Sequence, residues 1–488
     1  MNHKKEFFSS RWAFLLAALG MAIGTGNLWR FPRLAGHYGG SFLIPWVIFL
    51  FMWSIPLIII EFSIGKKLRR GVIGAFAQGL GKNYTWMGWF VGVCTIGIMF
   101  YYSVVCGWSI KYLVLSLQDE LTRLDHASFW TSYTTGNFEP VLYSIIALMI
   151  GCIIIYFGVN KGIERATKIL IPLLFLLVII AAIRAVTLPN ADAGLHYFFR
   201  VRPEDLFDYK VWLEALSQSA WSTGAGWGLV LTYATYVRQK ESIIVNSLLT
   251  GLGNNIASII IGLAVIPTVF AMSPNTSEAM QALQSGNQGL TFIYMPQLFA
   301  RMLGGNIFTP LFFLALFIAA ISSLISMLEL AVKNLLDYRM NRKNAVILTG
   351  IIAAAAGFPS AYSLRFFNNQ DWVWGIGLLI SGFFFIFFAL RIGINKFKNE
   401  YIELIKNHFY ARPVFLKYLA IFMLLEFIFM FMWWLIQSIS WYPQNWWNPF
   451  NEFSIGTCIA QWAIIIIVGV LFRHKLFGIK NLEENAPV

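Results

Sequence analysis

Apolar runs long enough to cross a bilayer recur along the whole chain, and short polar stretches separate them. A helix needs roughly 20 mainly apolar residues to span the hydrocarbon core. By that measure twelve spans are predicted, at 12–35, 41–64, 87–117, 139–158, 166–187, 211–237, 243–271, 306–336, 345–363, 371–394, 414–438 and 455–472. The ninth has the weakest pattern. The expected fold is an all-α polytopic membrane protein. Two spans interrupt their own helical pattern. In the first, Gly20 to Pro32 reads G-M-A-I-G-T-G-N-L-W-R-F-P, and in the sixth Ser222 to Gly228 reads S-T-G-A-G-W-G. Glycines this dense weaken a helix, and lipid offers freed backbone groups no partner. Such breaks are tolerated where the freed carbonyls and amides line a cavity and can hold cations or carboxylates. A glycine-rich packing face between helices is the competing reading of either break alone.

Composition supports a membrane class: 58% of residues are hydrophobic and mean hydropathy is +0.66. The formal net charge of +13 is concentrated in short loops. Starting from an inside N-terminus, alternate loops place Lys66, Lys67, Arg69 and Arg70 on the cytoplasmic side. The same count puts Lys161, Arg165, Lys168, Arg238, Lys240, Arg339, Arg342, Lys343, Arg473 and Lys475 there. That is the positive-inside pattern, and it argues against nucleic-acid binding. Both termini are expected in the cytoplasm of a cell whose inner (plasma) membrane holds the chain. The loops at about 118–138, 188–210 and 272–305 then cap the outer face. All four cysteines lie in apolar segments, which argues against a disulfide framework or a metal site. The apolar run after Trp12 is too long for a cleavable signal.

Paired glycine-interrupted spans in corresponding positions of two halves point to a secondary transporter with a binding site at the bilayer midplane. Spans one and six hold that relation if each half has five helices. The organisation expected is a segment 1–11, a first repeat 12–187, an outer loop 188–210, a second inverted repeat 211–394, two further spans within 395–472 and a tail 473–488.

Together, G-x-G-N-L-W-R-F-P in span one and G-A-G-W-G in span six resemble the neurotransmitter:sodium symporter family, over about Lys5 to Gly377. The five-plus-five inverted repeat with discontinuous helices 1 and 6 is something this resemblance brings. It also implies two sodium sites. The first would use the Ala22 carbonyl, Asn27, Ser222 and Asn254, completed by the substrate's carboxylate. The second would use carbonyls of Gly20, Ile23 and Ala319 with the hydroxyls of Ser322 and Ser323. Neutral oxygens from unwound backbone suit a hard cation. Helix packing is the competing reading of Ser322 and Ser323 taken alone.

Tyr102 matches the family's carboxylate-holding hydroxyl, aided by amides of the broken first span around Thr25 and Gly26. Relatives that carry monoamines place an aspartate where this chain has Gly24, so a substrate with its own carboxylate is expected. The implied pocket comprises Ala22, Gly24, Thr25, Gly26, Ile98, Tyr102, Trp221, Ser222, Gly224, Trp227, Ser323 and Met327. Its apolar side-chain wall favours a neutral, hydrophobic amino acid, since an unpaired buried charge is costly. Arg30 and Asp371 resemble the outer gate pair under a Trp221 lid, and Lys5 and Asp337 the inner pair beside Tyr236. Phe8 stands where relatives often carry tryptophan.

Several features keep two readings. Gly162 and Pro172 match a spacing at which some bacterial relatives unwind span five, or they mark an ordinary proline kink. Ser258 with Gln218 and Ser222 could form a chloride site, although Trp46 replaces the tyrosine hydroxyl expected in span two, and an indole only donates. Glu61 and Glu426 are intramembrane acids, so each is a functional candidate or a buried structural hydrogen bond. Three activities compete: sodium-coupled amino-acid symport, proton-coupled or exchange transport on the same fold, and a receptor or channel. Proton coupling wants a titratable group near Ser322, and only apolar residues and hydroxyls are found there. No nucleophile, base or metal-ligand cluster recurs at catalytic spacing, so an enzyme is not expected.

Overall fold

The computed structural model describes residues 6–402 and 413–473, and its elements are helices. Nine helical stretches among the described residues are long and apolar enough to cross a membrane. The broken first and sixth spans and the last, Ile455–Leu471 with 17 residues, complete the expected twelve. The ninth, weakest in pattern, is a continuous helix, Arg342–Tyr362. The tenth starts at Leu364, seven residues before the expected 371, because Ser363 caps it and accepts from the Phe366 amide. The polar run Asn368 to Asp371 hid that start. In the structure Asn369 bonds to Thr457 and Gln370 to Gln461, both in the last span. Span five also begins early, with a wide π-helical turn at Val159–Glu164 before the regular helix Arg165–Val186.

Both breaks are present. Span one is helical over Arg11–Ala22, opens at Ile23 and Gly24, and resumes as a π-turn Gly26–Arg30 and a helix Phe31–Tyr38. Span six runs Tyr209–Ser222 and Leu229–Ala234 with a non-helical run of turns between. In that gap Gly224, Gly226 and Gly228 have φ of +70°, +88° and +78°. A side chain in that left-handed region costs roughly 1–2 kcal/mol, so three alternating glycines make this path accessible. The gap is also tied from outside. The Glu61 carboxylate accepts from the amides of Gly226 (2.5 Å) and Leu231 (3.4 Å), and the Thr95 hydroxyl donates to the Trp227 carbonyl (2.6 Å). Glu61 is therefore a structural acceptor for backbone that has no helical partner.

Spans three (Thr85–Leu117) and eight (Gly305–Asp337) are the innermost, with 83% of their apolar windows buried, against 33–39% for spans four, five, nine and eleven. The buried pair and the two broken spans thus surround one central space, while the lipid-facing spans scaffold it. Gly65 lets span two meet the inner half of span six, since a Cβ there would lie 2.2 Å from the Leu231 carbonyl. Short helices such as Val72–Leu80, His126–Thr134 and Ala191–Phe199 close the ends.

Candidate functional site

Where span one opens, Asn27 folds back on the break. Its Oδ1 accepts from the Gly24 amide (3.1 Å), while its Nδ2 donates to Asn254 Oδ1 (2.9 Å) and Ser258 Oγ (2.8 Å). Asn254 in turn donates to Ser222 Oγ at 3.2 Å, at the lip of the span-six break. The Ala22 carbonyl accepts from the Gly24 amide at 3.0 Å. The four oxygen donors expected for the first sodium therefore belong to one buried hydrogen-bonded cluster. No carboxylate belongs to it, so a cation's charge there would call for an anion from outside.

One turn toward the inner side, Ser323 Oγ lies 3.4 Å from the Gly20 carbonyl and 3.2 Å from that of Met21. Ser322 donates to the Ala319 carbonyl at 2.9 Å. A Cβ on Gly20 would sit 3.3 Å from Ser322 Cβ and 2.9 Å from Ile171, which brings spans one, five and eight together. Both serines therefore return a bond to nearby carbonyls, as packing serines do, and they also gather four of the five expected groups in one place.

Between the clusters lies a cavity of about 90 Å³. Its wall includes eleven of the twelve expected pocket residues. Ile98 is the exception: it is fully buried behind the wall. Tyr101, Val105, Phe367, Asn287 and Gln288 join the lining without having been anticipated. The last three come from segments whose approach is decided by tertiary packing. Tyr102 carries the main polar contact, its hydroxyl accepting from the Thr25 amide (3.1 Å) and hydroxyl (3.2 Å). Gly24 cannot accept a side chain in this arrangement, because a Cβ would lie 2.7 Å from Ser323 Oγ and 2.9 Å from the Tyr102 hydroxyl.

At the outer rim Arg30 and Asp371 both line the cavity, but Arg30 is held elsewhere. It donates to Ser217 (2.6 Å), lies 3.8 Å from Glu214 and stacks over Trp221 at 5.6 Å. Asp371 is solvent-exposed, and no direct Arg30–Asp371 bridge closes the rim. Glu214 and Ser217 share a face of span six with Trp221, at three- and four-residue spacing, a periodicity legible in the sequence. The opposite end of the bundle, expected to face inward, is packed closed around Phe8. Phe8 is buried against Phe14 and Tyr233, and its amide donates to the Tyr236 carbonyl (3.0 Å). Lys5 lies outside the described residues. Among the described residues its expected partner Asp337 bridges Lys333 (2.7 Å) and accepts from the Gly71 amide (2.6 Å). Tyr236 donates to Glu329 (2.6 Å), not to Asp337, and Arg342 clasps the same fully buried carboxylate through two bonds of 2.9 and 3.0 Å. Glu329 and Arg342, missed in sequence, hold spans six, eight and nine together at this end. Ser9 is bonded through its amide and hydroxyl to Glu164, in the π-turn that opens span five.

Among the candidate chloride residues, Ser258 donates to the Asn254 carbonyl (3.1 Å) and Gln218 to that of Gly26 (3.2 Å). The Trp46 indole packs on Phe31 and Phe42, and its N–H is buried without a partner among the described residues.

Comparison with known proteins places this geometry. The Sodium:neurotransmitter symporter family matches residues 5–139 and 133–477. The chain is 32% identical over 357 residues to a sodium-dependent transporter of Methanocaldococcus jannaschii, covering 70% of this chain and 72% of that one. It is 27% identical to the sodium-dependent transporter YhdH of Bacillus subtilis, over 88% of this chain and 96% of the relative. Its fold is similar to that of MhsT solved in complex with L-phenylalanine, with TM-score 0.78, 27% identity, and coverage of 88% of this chain and 99% of MhsT.

Proposed function

The chain belongs to the sodium:neurotransmitter symporter family of multi-pass membrane transporters, and on that premise we propose that it carries a neutral, hydrophobic free amino acid into the cell with sodium. The observation that carries the substrate class is the Tyr102 hydroxyl. It accepts two bonds from Thr25 and keeps its own proton to donate, beside a sodium cluster that has no anion. A substrate carboxylate supplies both missing partners at once. The likeness to MhsT with bound L-phenylalanine supports the same reading.

Two sodium ions are proposed, one at Ala22, Asn27, Ser222 and Asn254, the other at Gly20, Ile23, Ala319, Ser322 and Ser323. The substrate's apolar part would face Trp221, Gly224, Trp227 and Met327. With the inner side shut and Arg30 held by Ser217 and Glu214, the site is approached from the outer face. Outer closure would move Arg30 toward Asp371 and lower Trp221 over the substrate. Inner opening would then release Tyr236 and Arg342 from Glu329. Both termini are proposed on the cytoplasmic side of the plasma membrane. Chloride stays outside the proposal: the Ser258 hydroxyl donates to the Asn254 carbonyl and one Gln218 N–H to that of Gly26.

Uptake of radiolabelled amino acids into proteoliposomes, driven by a sodium gradient, tests the reading. Leucine-, methionine- or phenylalanine-sized substrates are expected to accumulate only with inward sodium. Accumulation driven equally by a proton gradient alone, or none for any amino acid, would overturn it.

A further inference from the structure

A second cavity lies away from the transport site, on the outer surface of the bundle. It is a groove of about 950 Å³ between span eleven (Pro413–Trp441), span two and the outer half of span six. Its walls are aromatic and aliphatic, including Phe49, Trp212, Phe422 and Phe429. Glu426 opens into this groove. It is only 8% exposed, and neither carboxylate oxygen has a hydrogen-bond partner among the described residues. Seven residues on, the Trp433 indole N–H is also buried without a partner, and Gln437 follows one turn later along the same wall. A helix rises 1.5 Å per residue, so Glu426 and Trp433 lie roughly 10 Å apart along the groove.

Orphaned buried carboxylate oxygens are costly in an apolar setting, and an acyl chain offers them nothing. Glu61 shows how a buried carboxylate is otherwise satisfied in this fold, through backbone amides. Among the described residues nothing of that kind reaches Glu426. The chemistry that matches is a donor group on an apolar body that aromatic walls can hold. We propose that this groove is a binding site for a lipophilic amine, whose nitrogen pairs with Glu426 and whose hydrophobic body lies along Phe422, Phe429 and Trp433. An oxygen acceptor about 10 Å from the nitrogen would also satisfy Trp433. Because Trp212, Leu213 and Leu216 form the facing wall, the occupant presses on the helix that carries Glu214, Ser217 and Trp221. The site is thus placed to modulate the outer gate without touching the substrate.

The test uses the full chain in phosphatidylcholine nanodiscs, with dodecylamine and dodecanol as probes of matched length. Equilibrium binding is measured against empty nanodiscs to remove bilayer partitioning. Dodecylamine is expected to bind at least tenfold more tightly than dodecanol, and Glu426→Gln to abolish that ratio while leaving dodecanol binding in place. Met432→Trp, which fills the groove from its exposed side, is expected to weaken both probes and guards against misfolding of the first variant. Equal binding of amine and alcohol to the unmodified protein overturns the proposal and marks the groove as an acyl-chain seat. An amine preference that survives Glu426→Gln overturns it too.

Discussion

Replacing Tyr102 by Phe removes one oxygen and leaves the ring, so its consequences can be separated. In the structure that oxygen accepts from the Thr25 amide and hydroxyl at 3.1 and 3.2 Å. Losing the acceptor leaves a buried amide without its partner, at about 1–3 kcal/mol, in the free and occupied protein alike. This first cost lowers stability and largely cancels from affinity. The second cost is borne only by the complex, because the hydroxyl proton no longer reaches the substrate carboxylate. A hydrogen bond to a charged group contributes about 1.5–3 kcal/mol, so amino-acid affinity is expected to fall about 10- to 150-fold. The decarboxylated amine of the same amino acid makes no such bond, so its already weak binding should change little. Scintillation proximity binding in saturating sodium, with amino acid and amine as competitors, reads both quantities. An equal loss for both partners would mean that Tyr102 shapes the pocket without holding a carboxylate. Unchanged amino-acid affinity would refute the assignment outright.

Four further outcomes are expected. Gly24→Asp should abolish amino-acid binding, because its Cβ meets Ser323 and Tyr102 at 2.7 and 2.9 Å and its carboxylate would repel the substrate's, read by competition binding in saturating sodium. Asn27→Ala should weaken sodium binding, and the factor by which sodium tightens substrate binding should shrink as much as the factor by which substrate tightens sodium binding, since coupling between ligands is reciprocal; isothermal titration of each ligand with and without the other checks this. Gly226→Ala, at φ +88° and with a Cβ 3.0 Å from Gly382 Cα, should destabilise the protein by at least the roughly 1–2 kcal/mol of a left-handed side chain, seen as a lower melting temperature in detergent. Arg342→Gln leaves the buried Glu329 short of its cation, a loss of about 3–5 kcal/mol where a buried pair is broken. The inner closure should loosen, and hydrogen exchange at the Phe8 amide, bonded to Tyr236, should quicken at least tenfold.

Local chemistry decided the parts of this protein that the chain alone discloses. Lipid permits only helices for a lone span, so twelve apolar runs translate directly into helices. Glycine is the residue for positive φ, so the alternating glycines of span six mark their own break. The break in span one is marked by Asn27, whose side chain takes up the freed Gly24 amide. The clustered oxygens of Asn27, Ser222 and Asn254 were expected only through the family resemblance that the break motifs carry, since Asn254 lies in span seven. What the sequence could not disclose depends on which faces meet. Ile98 is one helical turn from Tyr102, yet the packing of span three puts it behind the cavity wall. Charges are worse placed to be read, because any basic residue near an acidic one is a candidate partner until distances exist. Arg30 found Glu214 and Ser217, and Tyr236 found Glu329. The two intramembrane acids make the point most directly. Both are single carboxylates in apolar runs, but Glu61 meets the amides of an unwound helix and Glu426 meets an open groove, because only the first faces backbone that has lost its own partners.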